Sequence, residues 1–181
     1  MWYPATITVA ASSEPVTAAE VKAQAEIDFT DDDTLITLLI AGARAFTEKY
    51  CGTRFATQTI SVKCDCFRDF AKFAEAPVQS VTSITYVDTD GATQTLATSV
   101  YEVRNDGLEV SIALKFGQVW PITQAGSRIT VVAVVGYTAV PDDVKRALLL
   151  YIAGGYANRE NTKDSDWTAF DSLLCNHRRN A

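Results

Sequence analysis

The chain has 181 residues, 48% hydrophobic and 21% charged, with 22 acids against 16 bases for a net charge of −6. That length fits one domain or two small ones, the apolar content excludes disorder, and the acidic balance argues against a nucleic-acid binder working through a basic surface. With His177 the only histidine, histidine-dependent catalysis and His-rich metal sites are not expected. The start, Met1-Trp2-Tyr3-Pro4, lacks the basic and apolar regions of a signal peptide. No apolar run approaches the ~20 residues of a membrane span, so no membrane partner is expected. Cys51, Cys64, Cys66 and Cys175 are too few for a disulfide scaffold and read as free thiols of a reducing compartment.

In chain order, Val16 to Glu26 reads as a short helix. Thr17 and Glu20 form a Thr-x-x-Glu capping box, and Val16 and Val21 are spaced for a hydrophobic staple. Thr30-Asp31-Asp32-Asp33 then supplies a cap and acids at the positive end of a longer helix. Leu35, Leu39, Ala43, Phe46 and Tyr50 make its apolar face, widened by Ile36 and Ile40, and Cys51-Gly52 ends it. From Thr53 to Tyr137 the period drops to two. Strands are predicted at Thr57–Cys64, Val81–Val87, Gln94–Leu96, Tyr101–Arg104, Val110–Phe116 and Arg128–Val135, the last buried on both faces. Asp88-Thr89-Asp90-Gly91 is a turn. Helix returns at Pro141, a first-position proline followed by Asp142-Asp143, with Val144, Leu148, Tyr151, Ile152 and Gly155 on one face. Asn158 to Ser165 reads as a linker. Trp167, Phe170, Leu173 and Leu174 fall at helical spacing in a final short helix.

The expected fold is α+β: a helical bundle from N- and C-terminal helices with an inserted, mostly antiparallel β segment. Within one domain, 1–181, the helical part is 16–52 and 141–160, the β insertion 53–137 and the last segment 165–181.

The sequence carries no motif for chemistry. Cys64-x-Cys66 with Cys175-x-His177 lacks the usual zinc spacing and reads as small buried hydrophobes. His177 reads as a solvated tail residue, not a positioned base. Asp31-Asp32-Asp33 lacks the alternation of a calcium loop. There is no glycine-rich phosphate loop. Catalytic, cofactor and metal residues are therefore expected to be none. Phe46, Tyr50 and Tyr151 read as core. The stripe Trp167, Phe170, Leu173, Leu174 either folds back on the body or docks on a partner.

Several segments in order carry a resemblance. They are Val16-Thr17-Ala18-Ala19-Glu20-Val21-Lys22, Asp31-Asp32-Asp33-Thr34-Leu35-Ile36, and Ala41-Gly42-Ala43-Arg44-Ala45-Phe46-Thr47-Glu48-Lys49-Tyr50-Cys51-Gly52. Next come Ala76-Pro77-Val78-Gln79-Ser80-Val81 through Asp88, Val134-Val135-Gly136-Tyr137, and Val140-Pro141-Asp142-Asp143-Val144 through Glu160. This set resembles the head–tail connector (adaptor, or head completion) proteins of long-tailed bacteriophages and gene transfer agents. The resemblance implies a structural virion protein without enzymatic activity or cofactor. It would sit in the neck, after assembly in the bacterial host cytoplasm. It implies a homo-oligomeric ring of about twelve copies, as closed cyclic symmetry permits, between the portal protein and a neck, stopper or tail protein, with DNA as a non-specific passenger. It favours portal docking for Trp167, Phe170, Leu173 and Leu174. Gly154-Gly155 departs from the bulkier aromatic pair typical of the family, which weakens the last long helix. Two alternatives are a cytoplasmic hydrolase with Cys64 or Cys66 as nucleophile, and a ligand- or carbohydrate-binding β module of a phage tail.

Residues 1 to 35 hold seven acids and one base, so they carry the whole net charge. This places an acidic edge, Asp31, Asp32 and Asp33, at a DNA channel or a basic patch on a neighbouring subunit.

Overall fold

The most apolar segment, Ile129–Val135, becomes the central strand of a sheet, as its Val content favours. The computed structural model describes residues 1–158 and 168–179. Two compact units divide them: residues 1–12 with 57–138, and residues 13–56 with 139–181.

The first unit is a β unit. Its strands are β1 (Thr6–Val9), β2 (Gln58–Cys64), β3 (Val78–Val87), β4 (Thr93–Thr95), β5 (Tyr101–Asp106), β6 (Glu109–Leu114) and β7 (Ile129–Val135). Five of them form an antiparallel sheet in the order β1-β2-β7-β3-β4, and β5 and β6 pair separately. In β7, Ile129, Val131, Ala133 and Val135 are buried, while Thr130, Val132 and Val134 are half-buried. The expectation of burial on both faces is thus corrected: one face meets the core and the other is partly covered. Strand β2 runs opposite β7 without a break, from Gln58 against Val135 to Cys64 against Ile129. Strand β3 meets the other side of β7 with two register shifts, between Val78 and Ser80 and between Val81 and Ser83. Those bulges break the alternation, which is why the sequence reading began this strand only at Val81.

The core of this unit joins Ile60 and Val62 of β2, Ile84 of β3 and Ile112 of β6 to Phe67, Phe70 and Phe73. Phe67 and Phe70 lie in a 3-10 turn, Phe67–Ala71, that sequence periodicity did not indicate. The Asp88 turn forms as predicted. Its carboxylate accepts from the backbone N–H groups of Asp90 (3.0 Å) and Ala92 (2.9 Å), and Gly91 takes φ +83°.

The second unit is helical: α1 (Ala18–Ala25), α2 (Asp33–Cys51), α3 (Asp142–Ala157) and α4 (Ala169–Leu174). Helices α1, α2 and α3 pack on one another, and α4 packs on α3. The Thr17–Glu20 capping box is present, with the Thr17 N–H donating to the Glu20 carboxylate at 2.6 Å. Val16 and Val21 are buried beside it. Helix α2 ends at Gly52 in the left-handed region, φ +62°. Helix α3 runs unbroken through Gly154-Gly155 to Ala157.

The buried face of α2 is Ile36, Ile40, Ala43, Thr47, Glu48 and Cys51. Ile36, Ile40 and Ala43 belong to the predicted face, whereas of its other members Leu35, Leu39 and Tyr50 are half-buried and Phe46 is 44% exposed. The unpredicted buried residues at the end of the helix include a carboxylate. Glu48 Oε1 accepts from the backbone N–H of Phe55 (3.0 Å) and of Ala56 (3.2 Å), and Oε2 pairs with Arg44 (3.4 Å) and Arg54 (3.5 Å). A buried carboxylate needs that full set of partners. It ties the chain leaving α2 back to the helix.

Candidate functional site

Three features bear on function; the first two lie within the helical unit, and the cysteines divide between the two units. The first is the C-terminal segment. Thr168 and Asp171 form a second capping box, with the Thr168 N–H donating to Asp171 at 2.8 Å. Phe170 then joins an aromatic group with Tyr151 (5.2 Å between centroids), Tyr50 (5.8 Å) and Phe46 (6.1 Å). Phe46 and Tyr151 are exposed at the edge of this group, so they are not the core residues their spacing suggested. The Tyr50 hydroxyl donates to Asp171 at 2.5 Å. That bond, followed by those from the Thr168 side chain and backbone, holds the Asp171 carboxyl below its ordinary value, and it raises the Tyr50 phenol.

Leu174 is wholly buried and Leu173 half-buried. Beyond them the Arg179 N–H donates to the Cys51 carbonyl (2.7 Å), and the Arg178 guanidinium lies 4.6 Å over the Tyr50 ring. Of the four residues assigned to portal docking, Phe170, Leu173 and Leu174 thus fold back on this unit in the isolated chain. Trp167 lies outside the described residues.

His177 corrects an expectation. Its Nε2 lies 2.8 Å from Asp143 Oδ2, and its ring meets the edge of Phe55. Burial would raise the Asp143 carboxyl, but the His177 hydrogen bond and charge outweigh it and leave the group below its ordinary value. The side chain fastens the segment to the start of α3 and is not a solvated tail. No local pattern signals this, because Asp143 is 34 residues away.

The second feature is the acidic edge. Asp31 is exposed. Asp32 accepts from the Tyr156 hydroxyl at 2.5 Å, and Asp33 pairs with the Lys22 ammonium, which also donates to the Phe29 carbonyl at 2.8 Å. Two of the three acids therefore join α2 to α3 and α1. Asp32 occupies the N-cap without a side-chain cap bond.

The third feature is the cysteines. Cys51 and Cys64 are wholly buried, and burial pushes their thiols up to about 11 and about 12. Burial therefore disfavours the Cys64 thiolate. Cys66 and Cys175 are exposed. Among the described residues, no three His, Cys, Asp or Glu side chains gather as for a metal ion, and no helix is long and apolar enough to cross a membrane.

The model of the family described as Head completion protein matches residues 14–169, most of the chain. The chain belongs to the head completion protein family. The resemblance carried by residues 16 to 160 points the same way. No curated protein matches the sequence. Several chains of solved structures share its fold, and three are described. One is the virion of a native gene transfer agent particle, at a TM-score of 0.83 and 19% identity, covering 97% of this chain and 95% of the other. A second is the neck of an empty gene transfer agent particle computed with C6 symmetry, at 0.82 and 17% with the same coverage. The third is the neck of a native particle computed with C12 symmetry, at 0.70 and 18%, covering 95% of each chain.

Proposed function

We propose that this head completion protein is a structural, non-enzymatic adaptor of the virion neck. It forms a homo-oligomeric ring, a dodecamer, between the portal and the next neck, stopper or tail protein. One observation supports this reading most. The family model covers residues 14–169, and the fold matches a gene transfer agent neck chain over 97% of this chain and 95% of that one. The C6 and C12 symmetries of the two necks support a ring.

In this reading residues 1–181 work as one connector domain. Trp167, Phe170, Leu173 and Leu174 meet the portal, Phe170 exchanging its contacts with Phe46, Tyr50 and Tyr151 for intermolecular ones. Asp31 and its neighbours face the DNA channel or a basic patch on the next subunit. An acidic lining suits a channel, since each Lys or Arg on a phosphate would add counterion-release affinity and slow the passing DNA.

The test is removal of the protein from a particle-producing strain. Filled heads without tails are expected, with tails restored on complementation and the protein retained on purified portal. Tailed, infectious or transducing particles made without it would overturn the proposal.

A further inference from the structure

Phe170, the aromatic centre of the docking segment, is held inside the helical unit by contacts that neither side needs for its own folding. It lies on a ledge of three rings, Phe46, Tyr50 and Tyr151. Phe46 stacks on Tyr151 (5.1 Å between centroids, 10° between planes) and on Tyr50 (6.0 Å, 19°). The ledge therefore keeps its own packing when Phe170 leaves. It is also shallow: Phe46 and Tyr151 stay 44% and 39% exposed with Phe170 in place.

On the other side, Asp171 divides its two oxygens between separate duties. Its Oδ2 accepts from the Thr168 N–H (2.8 Å) and hydroxyl (2.7 Å), which caps α4. Its Oδ1 accepts from the Tyr50 hydroxyl (2.5 Å). Breaking the bond to Tyr50 leaves the cap intact, so α4 can part from α2 as a formed turn of helix. Leu174, wholly buried, adds to the hold. The far end is fastened through backbone groups: the Arg179 N–H donates to the Cys51 carbonyl (2.7 Å), and the His177 carbonyl accepts from the Thr53 hydroxyl (2.9 Å). That tether keeps α4 within reach of the ledge, at the high effective concentration of an intramolecular partner.

We infer that the Tyr50–Asp171 hydrogen bond, with the aromatic ledge beneath Phe170, is an autoinhibitory latch on the docking segment. The inference rests on the portal-docking reading above and deepens it by naming what restrains that site. A segment that must leave one partner to meet another binds with an apparent dissociation constant equal to the intrinsic one divided by the open fraction. With the latch closed, Phe170 is spent internally, and a free copy shows less apolar surface to other molecules. A surface that takes up Phe170 and its neighbours together opens the latch, and one that offers less leaves it closed.

The experiment is binding of the full chain to purified portal rings by surface plasmon resonance, for the unsubstituted protein and three variants. Tyr50→Phe removes the hydroxyl and keeps the ring. Phe46→Ser removes an exposed part of the ledge. Each should lower the dissociation constant by about threefold to tenfold, tenfold corresponding to about 1.4 kcal/mol of latch energy. Hydrogen exchange at the α4 amides of the isolated chain should quicken by a similar factor, since both readouts follow the open fraction. Phe170→Ser should raise the dissociation constant by about tenfold or more. Unchanged or weaker binding by Tyr50→Phe or Phe46→Ser, with α4 exchange at the unsubstituted rate, would overturn the latch, and loss of binding by Phe170→Ser in the same series would leave the docking reading standing. Unchanged binding by Phe170→Ser, or no binding by the unsubstituted chain and Tyr50→Phe alike, would overturn both.

Discussion

Glu48 gives the sharpest test of how the helical unit is held. It is 5% exposed, and one carboxylate oxygen accepts two buried backbone N–H groups, those of Phe55 and Ala56. Hydrogen bonds to a charged group contribute about 1.5–3 kcal/mol each, and an orphaned buried N–H costs a similar amount. The two Arg contacts, at 3.4 and 3.5 Å, are long and partly solvated, so they contribute about 1 kcal/mol or less together. Glu48→Ala should therefore destabilise by about 3–5 kcal/mol. Glu48→Gln keeps a carbonyl acceptor for both N–H groups and loses the charge, so about 1–2 kcal/mol is expected. Arg44→Ala removes one long contact to Glu48 and a 2.7 Å pair with the partly exposed Glu14, and should cost about 1 kcal/mol. Urea unfolding followed by far-ultraviolet circular dichroism measures all three. If Glu48→Ala falls within 1 kcal/mol of the wild type, or Glu48→Gln costs as much as Glu48→Ala, the backbone bonds do not hold the exit from α2.

Three further outcomes follow from the same geometry. Asp171 has a folded-state pKa below its ordinary 3.8, so its contribution is complete above that pH and fades as pH falls through the folded value. The melting-temperature gap between wild type and Asp171→Asn should be flat from pH 7 to about 4 and close below it; a gap independent of pH would count against the Tyr50–Asp171 bond. Gly52→Ala forces a side chain to φ +62°, beside Arg179 Cβ at 3.6 Å, and should cost about 1–2 kcal/mol in urea, whereas Gly42→Ala, in open space on the same helix, should stabilise by up to about 1 kcal/mol; equal signs would refute the backbone argument. A thiol reagent at pH 8 should label Cys66 and Cys175 quickly in the native protein, and Cys51 and Cys64 only after denaturation; rapid labelling of Cys64 would revive a thiol nucleophile.

What the sequence discloses here depends on the range of the interaction that decides each feature. The Thr17–Glu20 cap, the Gly52 stop and the Asp88 turn are settled within four residues, and all three form as their spacing predicts. In α2 periodicity finds the buried Ile36, Ile40 and Ala43 but not Glu48, whose burial is compensated by two N–H groups seven and eight residues further on. Strand β1 pairs with residues some fifty positions away and exposes all four side chains, which leaves no burial pattern to read. His177 finds Asp143 only after the chain has turned back. The same reasoning bears on function. A catalytic site can be sought in sequence because its chemistry needs particular residue types. A ring contact needs only ordinary apolar side chains, and Phe116 differs from Phe70 by exposure alone. Exposure is a property of the folded chain. The family was therefore legible in an ordered set of segments, as the family model over residues 14–169 bears out, while the exposure of individual apolar side chains became visible only once the sheet and its loops were in place.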